Sequence, residues 1–170
     1  MECVQSELAK NLAIGASMVT AGVVVKNSCE QMGNPHPAWG SRYIGPTLFV
    51  VGWLVVAHLI ASKLSPVGYN RNAMLVYGSV AGILLSANYI HKNHRNKMHS
   101  IVCAASWLIL GYMAGTSDRA RKLGIAAAIS VLLSMMVAMP WQRANNVVDG
   151  PGMPLFVIGW VLLILAAAGQ

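Results

Sequence analysis

Long apolar runs separated by short polar stretches organise this chain. Five are clear, at 45–62, 73–90, 100–115, 123–139 and 153–169, each 16 to 18 residues long. All twelve Lys and Arg and all five Asp and Glu stand at the edges of such runs or between them, the pattern of a membrane protein rather than of a soluble core. The runs lack the period-two alternation of barrel strands, and in lipid only a helix satisfies its own backbone polar groups, so each predicts a helix. Pro46 and Pro154 stand near the start of their segments, where a missing N–H costs nothing, and Pro140 is read as the end of the 123–139 helix.

A sixth segment, 8–25, is interrupted by Lys10 and Asn11, which leaves an apolar core from Leu12 to Val25. That core reaches about 21 Å, so the segment spans a bilayer if Lys10 extends outward and otherwise lies at the interface. An internal repeat favours spanning. Leu48-Phe49-Val50-Val51-Gly52-Trp53-Leu54 matches Leu155-Phe156-Val157-Ile158-Gly159-Trp160-Val161 at five of seven positions, and Ser106-Trp107-Leu108-Ile109 is a weaker copy between them. Ala21-Gly22-Val23-Val24 likewise resembles Ala81-Gly82-Ile83-Leu84, and Ile83-Leu84-Leu85-Ser86 resembles Val131-Leu132-Leu133-Ser134. The expected fold is therefore an all-α integral membrane protein, one polytopic domain over 1–170. It is a bundle of six short transmembrane helices, or five if the first lies at the interface, arranged as three tandem hairpins.

Composition agrees: 56% of residues are hydrophobic, 10% are charged and the mean hydropathy is +0.56, against about 25% charged in an ordinary soluble domain. A net charge of +7 would point to nucleic acid in a soluble protein, but in loops beside membrane-length segments it points to anionic lipid head groups. The six-helix arrangement places six Lys and Arg on each side, so the positive-inside rule gives no orientation. The short segments favour a thin internal, or internally derived, membrane. The N-terminus has no positively charged, cleavable leader pattern.

Three cysteines without a CxxC pair indicate neither a disulfide framework nor a zinc site. The spans hold no Asp, Glu, Lys or Arg in their interiors, and His58, near the end of its helix, reads as interfacial. The loop from His91 to His99 has HxxH spacing, but three cations stand among its imidazoles and no carboxylate or thiol accompanies them, so no metal is expected. His91, Lys92, His94, Arg95 and Lys97 there, with Arg119, Arg121 and Lys122, are the expected contacts to anionic lipid or to an acidic face of a partner. Trp53, Trp107 and Trp160, mid-helix, are expected to pack between helices as one aromatic layer, while Trp39 and Trp141 suit the interface. Gly78 with Gly82, and Gly111 with Gly115, form GxxxG pairs for close helix approach. The turn-rich connection around Asn34-Pro35-His36-Pro37 is the best loop for a specific contact.

No phosphate cradle, nucleophile elbow, HExxH pair or carboxylate dyad occurs, so no catalysis, cofactor or small-molecule substrate is expected. The function expected is that of a non-catalytic structural or assembly subunit of a larger membrane complex, such as a bioenergetic supercomplex or a virion internal membrane. The alternative is a small channel or carrier for uncharged or lipid-like cargo, its path lined by Ser79, Ser86, Asn88, Ser106, Ser130 and Ser134.

Overall fold

The computed structural model describes residues 2–31, 43–65, 70–92, 97–145 and 152–169. They form six helices and no strand: α1 (Glu2–Gln31), α2 (Gly45–Leu64), α3 (Arg71–Lys92), α4 (Lys97–Ala114), α5 (Asp118–Asn145) and α6 (Gly152–Ala168). Pro46 sits in the first turn of α2. Asn70 caps α3, its Oδ1 accepting the Ala73 N–H at 3.0 Å, and Ser117 caps α5, its Oγ accepting the Ala120 N–H at 3.2 Å. Gly169 ends α6 in the left-handed conformation, φ 81°, with its N–H on the Ala166 carbonyl at 3.1 Å.

Several helices outrun their apolar runs. α1 extends to both sides of the 8–25 segment, so the turn-rich connection begins after Gln31, and its residues 32–42, with Trp39, lie outside the described residues. α5 starts at Asp118 and continues through Pro140 to Asn145, so Pro140 does not end it and Trp141 falls within a helix. An apolar run marks which residues avoid water, not where the hydrogen-bond ladder stops, and one proline removes only its own rung of that ladder.

α1 packs along α2, α3 along α4 and α5 along α6; α2 also meets α3, α4 meets α5, and α1 meets α6, which closes the six helices into a ring. Near approaches show α1 and α2 antiparallel, because Gly22 abuts Phe49 and Gly45 while Gly15 abuts Val56 and Gly52. The buried positions recur. In α2, α4 and α6 they include Gly52, Ser106 and Gly159; Trp53, Trp107 and Trp160; Val56, Leu110 and Leu163; and Ile60, Ala114 and Ala167. In α1, α3 and α5 they include Gly15, Ser79 and Ala127; Ala16, Val80 and Ala128; Val19, Ile83 and Val131; and Gly22, Ser86 and Ser134. This register pairs Gly22 with Ser86, not with Gly82 as the Ala-Gly match in the sequence has it. The sequence match is displaced by about one helical turn, a shift that keeps small residues on nearly the same face and so leaves the pattern of types intact.

The interior mixes many small residues with the tryptophans and a set of buried Leu, Ile and Val side chains, and many further large aliphatics are outside. Ile14 on α1, Leu54 on α2, Leu85 on α3, Ile101 on α4, Ile129 and Met136 on α5 and Ile158 on α6 are all exposed. Three helical stretches are long and apolar enough to cross a membrane: Gln5–Val25 (21 residues), Gly45–Leu64 (20 residues) and Asp118–Val137 (20 residues). Met98–Ala114 and Gly152–Ala168 are apolar but shorter.

Candidate functional site

The most specific feature of the interior is a layer of three tryptophans contributed by α2, α4 and α6. Trp53 and Trp107 meet edge-to-face with centroids 5.1 Å apart, Trp53 and Trp160 are tilted at 5.2 Å, and Trp107 and Trp160 meet edge-to-face at 6.0 Å. Phe49 and Phe156, one turn earlier on α2 and α6, stand edge-on to Trp53 and Trp160 at 6.5 and 6.2 Å. Edge-to-face contact suits the indole quadrupole, whose positive rim meets a negative face. None of the three indole N–H groups finds an acceptor among the described residues, so the layer is held by packing and ring electrostatics.

The residue before each tryptophan explains how the rings reach a common centre. A Cβ on Gly52 would lie 2.7 Å from the Val19 nitrogen and 2.8 Å from the Gly15 carbonyl oxygen of α1. A Cβ on Gly159 would lie 3.0 Å from the Ala127 carbonyl oxygen of α5. Ser106 holds the same position in α4, and Gly82 of α3 faces it. Each small residue lets the odd-numbered helix press against the back of the even one and turns the neighbouring indole inward. The Gly-Trp repeat was legible in the sequence, but Gly15, Gly22, Gly52 and Gly159 were not singled out there as crossing points.

The two GxxxG pairs divide differently than expected. Gly82 and Gly111 are crossing points, whereas Gly78 has nothing within 4 Å of a built Cβ and lies exposed on α3. Gly115 lies just beyond α4, in the turn, where a Cβ would strike the backbone of Ala120 and Arg121. The three-residue link to α5 bends the chain before a further helix-face contact can form.

Three of the five buried serines give their hydroxyl protons to backbone carbonyls, whereas the buried Ser86 hydroxyl has no partner among the described residues. Ser79 donates to the Leu75 carbonyl at 2.7 Å, Ser134 to Val131 at 2.7 Å, and Ser130 crosses from α5 to the Leu155 carbonyl of α6 at 2.7 Å. His58, exposed on α2, has its Nδ1 3.3 Å from the Tyr77 hydroxyl of α3, a partner the sequence did not announce. Among the described residues no three His, Cys, Asp or Glu side chains gather as a metal set.

Of the expected lipid or partner contacts, His91 and Lys92 are the last residues of α3 and Lys97 the first of α4. His94 and Arg95 lie outside the described residues. Arg119, Arg121 and Lys122 come together on the first turns of α5. The Arg121 guanidinium lies over the Tyr112 ring of α4, 4.8 Å from its centroid, and 3.9 Å from the Asp118 carboxylate. Arg119 and Lys122 are exposed.

A second cation ties α2 to α6. The Lys63 ammonium, at the end of α2, donates to the Ala167 carbonyl in the last turn of α6, where orphaned carbonyls carry the negative end of the helix dipole. Lys63→Met is expected to lower stability by about 1 kcal/mol, read as a fall in the detergent unfolding midpoint; an unchanged midpoint would mean the bond contributes nothing. No family model matches the chain, and neither a curated protein nor a solved structure matches it.

Proposed function

We propose that this chain is a multi-pass integral membrane protein of three tandem helical hairpins, without catalytic chemistry of its own, serving as a structural or assembly subunit of a larger membrane complex. The carrying observation is the extent of apolar exposure on the outer surface. Large aliphatic residues are exposed on all six helices, while the interior holds small residues and the tryptophan layer beside a smaller set of Leu, Ile and Val side chains. Such a surface is costly in water and ordinary in lipid. The recurring burial register of the even and the odd helices supports the hairpin reading. The helices that fall short of the longest candidate spans fit a thin internal membrane, where flanking residues absorb the mismatch.

The aromatic layer argues against an axial pathway, the form a channel or carrier would take here. Trp53 and Trp107 are each 1% exposed, Trp160 is 5% exposed, and Val56, Leu110 and Leu163 fill the next turn at 2% or less. Of the serines that would line a polar path, Ser79, Ser130 and Ser134 give their protons to backbone carbonyls. What remains available for recognition is the outer surface and the helix ends, which suits a subunit that contacts lipid and neighbouring proteins.

Mild detergent extraction of the native protein, sizing and mass spectrometry of what stays with it in fixed ratio test this reading. Constant protein partners are expected. A lone protein or homo-oligomer that conducts solutes in liposomes would overturn it. Impermeant maleimide labelling of Cys3 and Cys29 checks the first span, because these cysteines should be accessible from opposite sides; access to both from one side would remove α1 from the spanning set.

A further inference from the structure

We infer that the α4–α5 corner binds an anionic glycerophospholipid, with Arg119, Arg121 and Lys122 around the phosphate and the exposed stripe through Ile129 and Leu133 along one acyl chain. The inference rests on the membrane reading above and deepens it.

The corner is rigidly built. Ser117 caps α5, and Gly115 brings the turn against the Ala120 and Arg121 backbone so closely that no side chain fits. Tyr112 lies under the Arg121 guanidinium, 4.8 Å from ring centroid to Cζ, and the Arg121 Nε is buried without a partner among the described residues, which leaves the terminal amino groups as the donors suited to phosphate oxygens. Asp118 is the one acid in the stretch 118–122, and it leans toward Arg121 at 3.9 Å. Neither Arg119 nor Lys122 has an ion-pair partner among the described residues, so the corner keeps a net positive charge. That balance selects an anionic head group over a zwitterionic one, whose own cation would face Arg119 and Lys122.

The ligand has to be a lipid and not free phosphate because the cations head an apolar stripe. Positions 119, 122, 126, 129 and 133 fall on one face of α5, all exposed, and below Lys122 that face is wholly apolar, with Ile129 at 47% and Leu133 at 45% exposure. From 122 to 133 the helix runs about 16 Å, a length an acyl chain can follow. Charge at one end and hydrocarbon below it are joined in a glycerophospholipid. Inorganic phosphate supplies the first part alone.

The test uses the full chain in nanodiscs of equal phosphatidylcholine and phosphatidylglycerol, with retained lipid identified by native mass spectrometry. Wild-type protein should retain phosphatidylglycerol over phosphatidylcholine. R119Q/K122Q should lower that preference about thirtyfold, with an unchanged unfolding midpoint in phosphatidylcholine alone to show that the fold is intact. K10Q/R71Q, which removes two exposed cations elsewhere, should change the preference less than twofold. Equal loss in both double variants, or none in R119Q/K122Q, would overturn the site. Phosphate salt that strips the retained lipid more than chloride at matched ionic strength would reassign the corner to a free anion and overturn the lipid. Alkaline carbonate extraction is the separate control: release of the wild-type protein from its native membrane would sink the membrane reading itself, whereas retention with no lipid preference sinks the site alone.

Discussion

Trp107→Ala is expected to be among the most damaging single truncations in the interior, lowering stability by about 3 kcal/mol. Trp107 is 1% exposed and touches both other tryptophans, at 5.1 and 6.0 Å, so its removal breaks two of the three contacts in the layer and leaves a cavity at the centre of the bundle. In water the loss would combine a transfer term with a cavity term. In a bilayer the transfer term shrinks, because lipid tails also accommodate an indole, and the estimate therefore sits at the low end of the usual range for large aromatic truncations. What remains is the dispersion lost by the facing rings, which have no water-sized partner to replace it. Trp107→Phe separates packing from hydrogen bonding. The indole N–H has no acceptor among the described residues, so phenylalanine should cost only the difference in ring size, about 1 kcal/mol. Both are measurable as shifts in an SDS-unfolding midpoint followed by circular dichroism. A phenylalanine variant as weak as the alanine one would mean that the N–H is bonded in the folded protein, and the packing account of the layer would fail.

The all-helical class could be read from the sequence because a long run without charge is a coarse constraint that survives almost any local detail. The tryptophans were legible for the same reason: Gly52-Trp53 and Gly159-Trp160 repeat within a longer match, and Trp107 falls midway. The depth of each helix was less legible. Pro140 looked like a stop and is internal to α5, and α1 carries polar residues at both ends that the apolar run did not reach. Rotation about the helix axis was harder still, since Gly78 and Gly82 are indistinguishable in sequence and only contact with a partner helix separates them. Cross-helix partners were the least visible. Tyr112 under Arg121 and Tyr77 beside His58 join residues on neighbouring helices, and nothing in either segment alone announces the other. The basic triplet at 119–122 could be located from sequence. Its orientation by an aromatic ring, and its position above an apolar stripe, needed the packed helices.

The distinction between equivalent-looking glycines gives the second large expected effect. Gly124→Leu should cost about 3 kcal/mol or more, at or above the upper end of ordinary overpacking, because the obstacle at this position is main chain. A Cβ on Gly124 would collide with the carbonyl of Gly111, and one on Gly111 would collide with the carbonyl of Gly124. Two helices in backbone contact cannot make room by turning a rotamer; α4 and α5 would have to separate, and the short turn through Gly115 limits how far they can. Gly82→Ala tests the milder case, since the atoms nearest its Cβ position belong to the side chains of Ser106 and Val102, and a hydroxyl can rotate aside for a loss of about 1 kcal/mol. Gly78→Ala is the control. With nothing within 4 Å the new methyl group meets no protein atom, and replacing a mid-helix glycine should raise stability by about 0.5 to 1 kcal/mol. The two alanine substitutions add the same methyl group and differ only in what lies opposite, and Gly124→Leu adds a larger group against main chain, so the unfolding midpoints should fall in the order Gly78, Gly82, Gly124, from most to least stable. If Gly78→Ala is as damaging as Gly124→Leu, α3 faces a partner at Gly78 under native conditions, and the exposed side of that helix becomes an interface rather than a lipid surface.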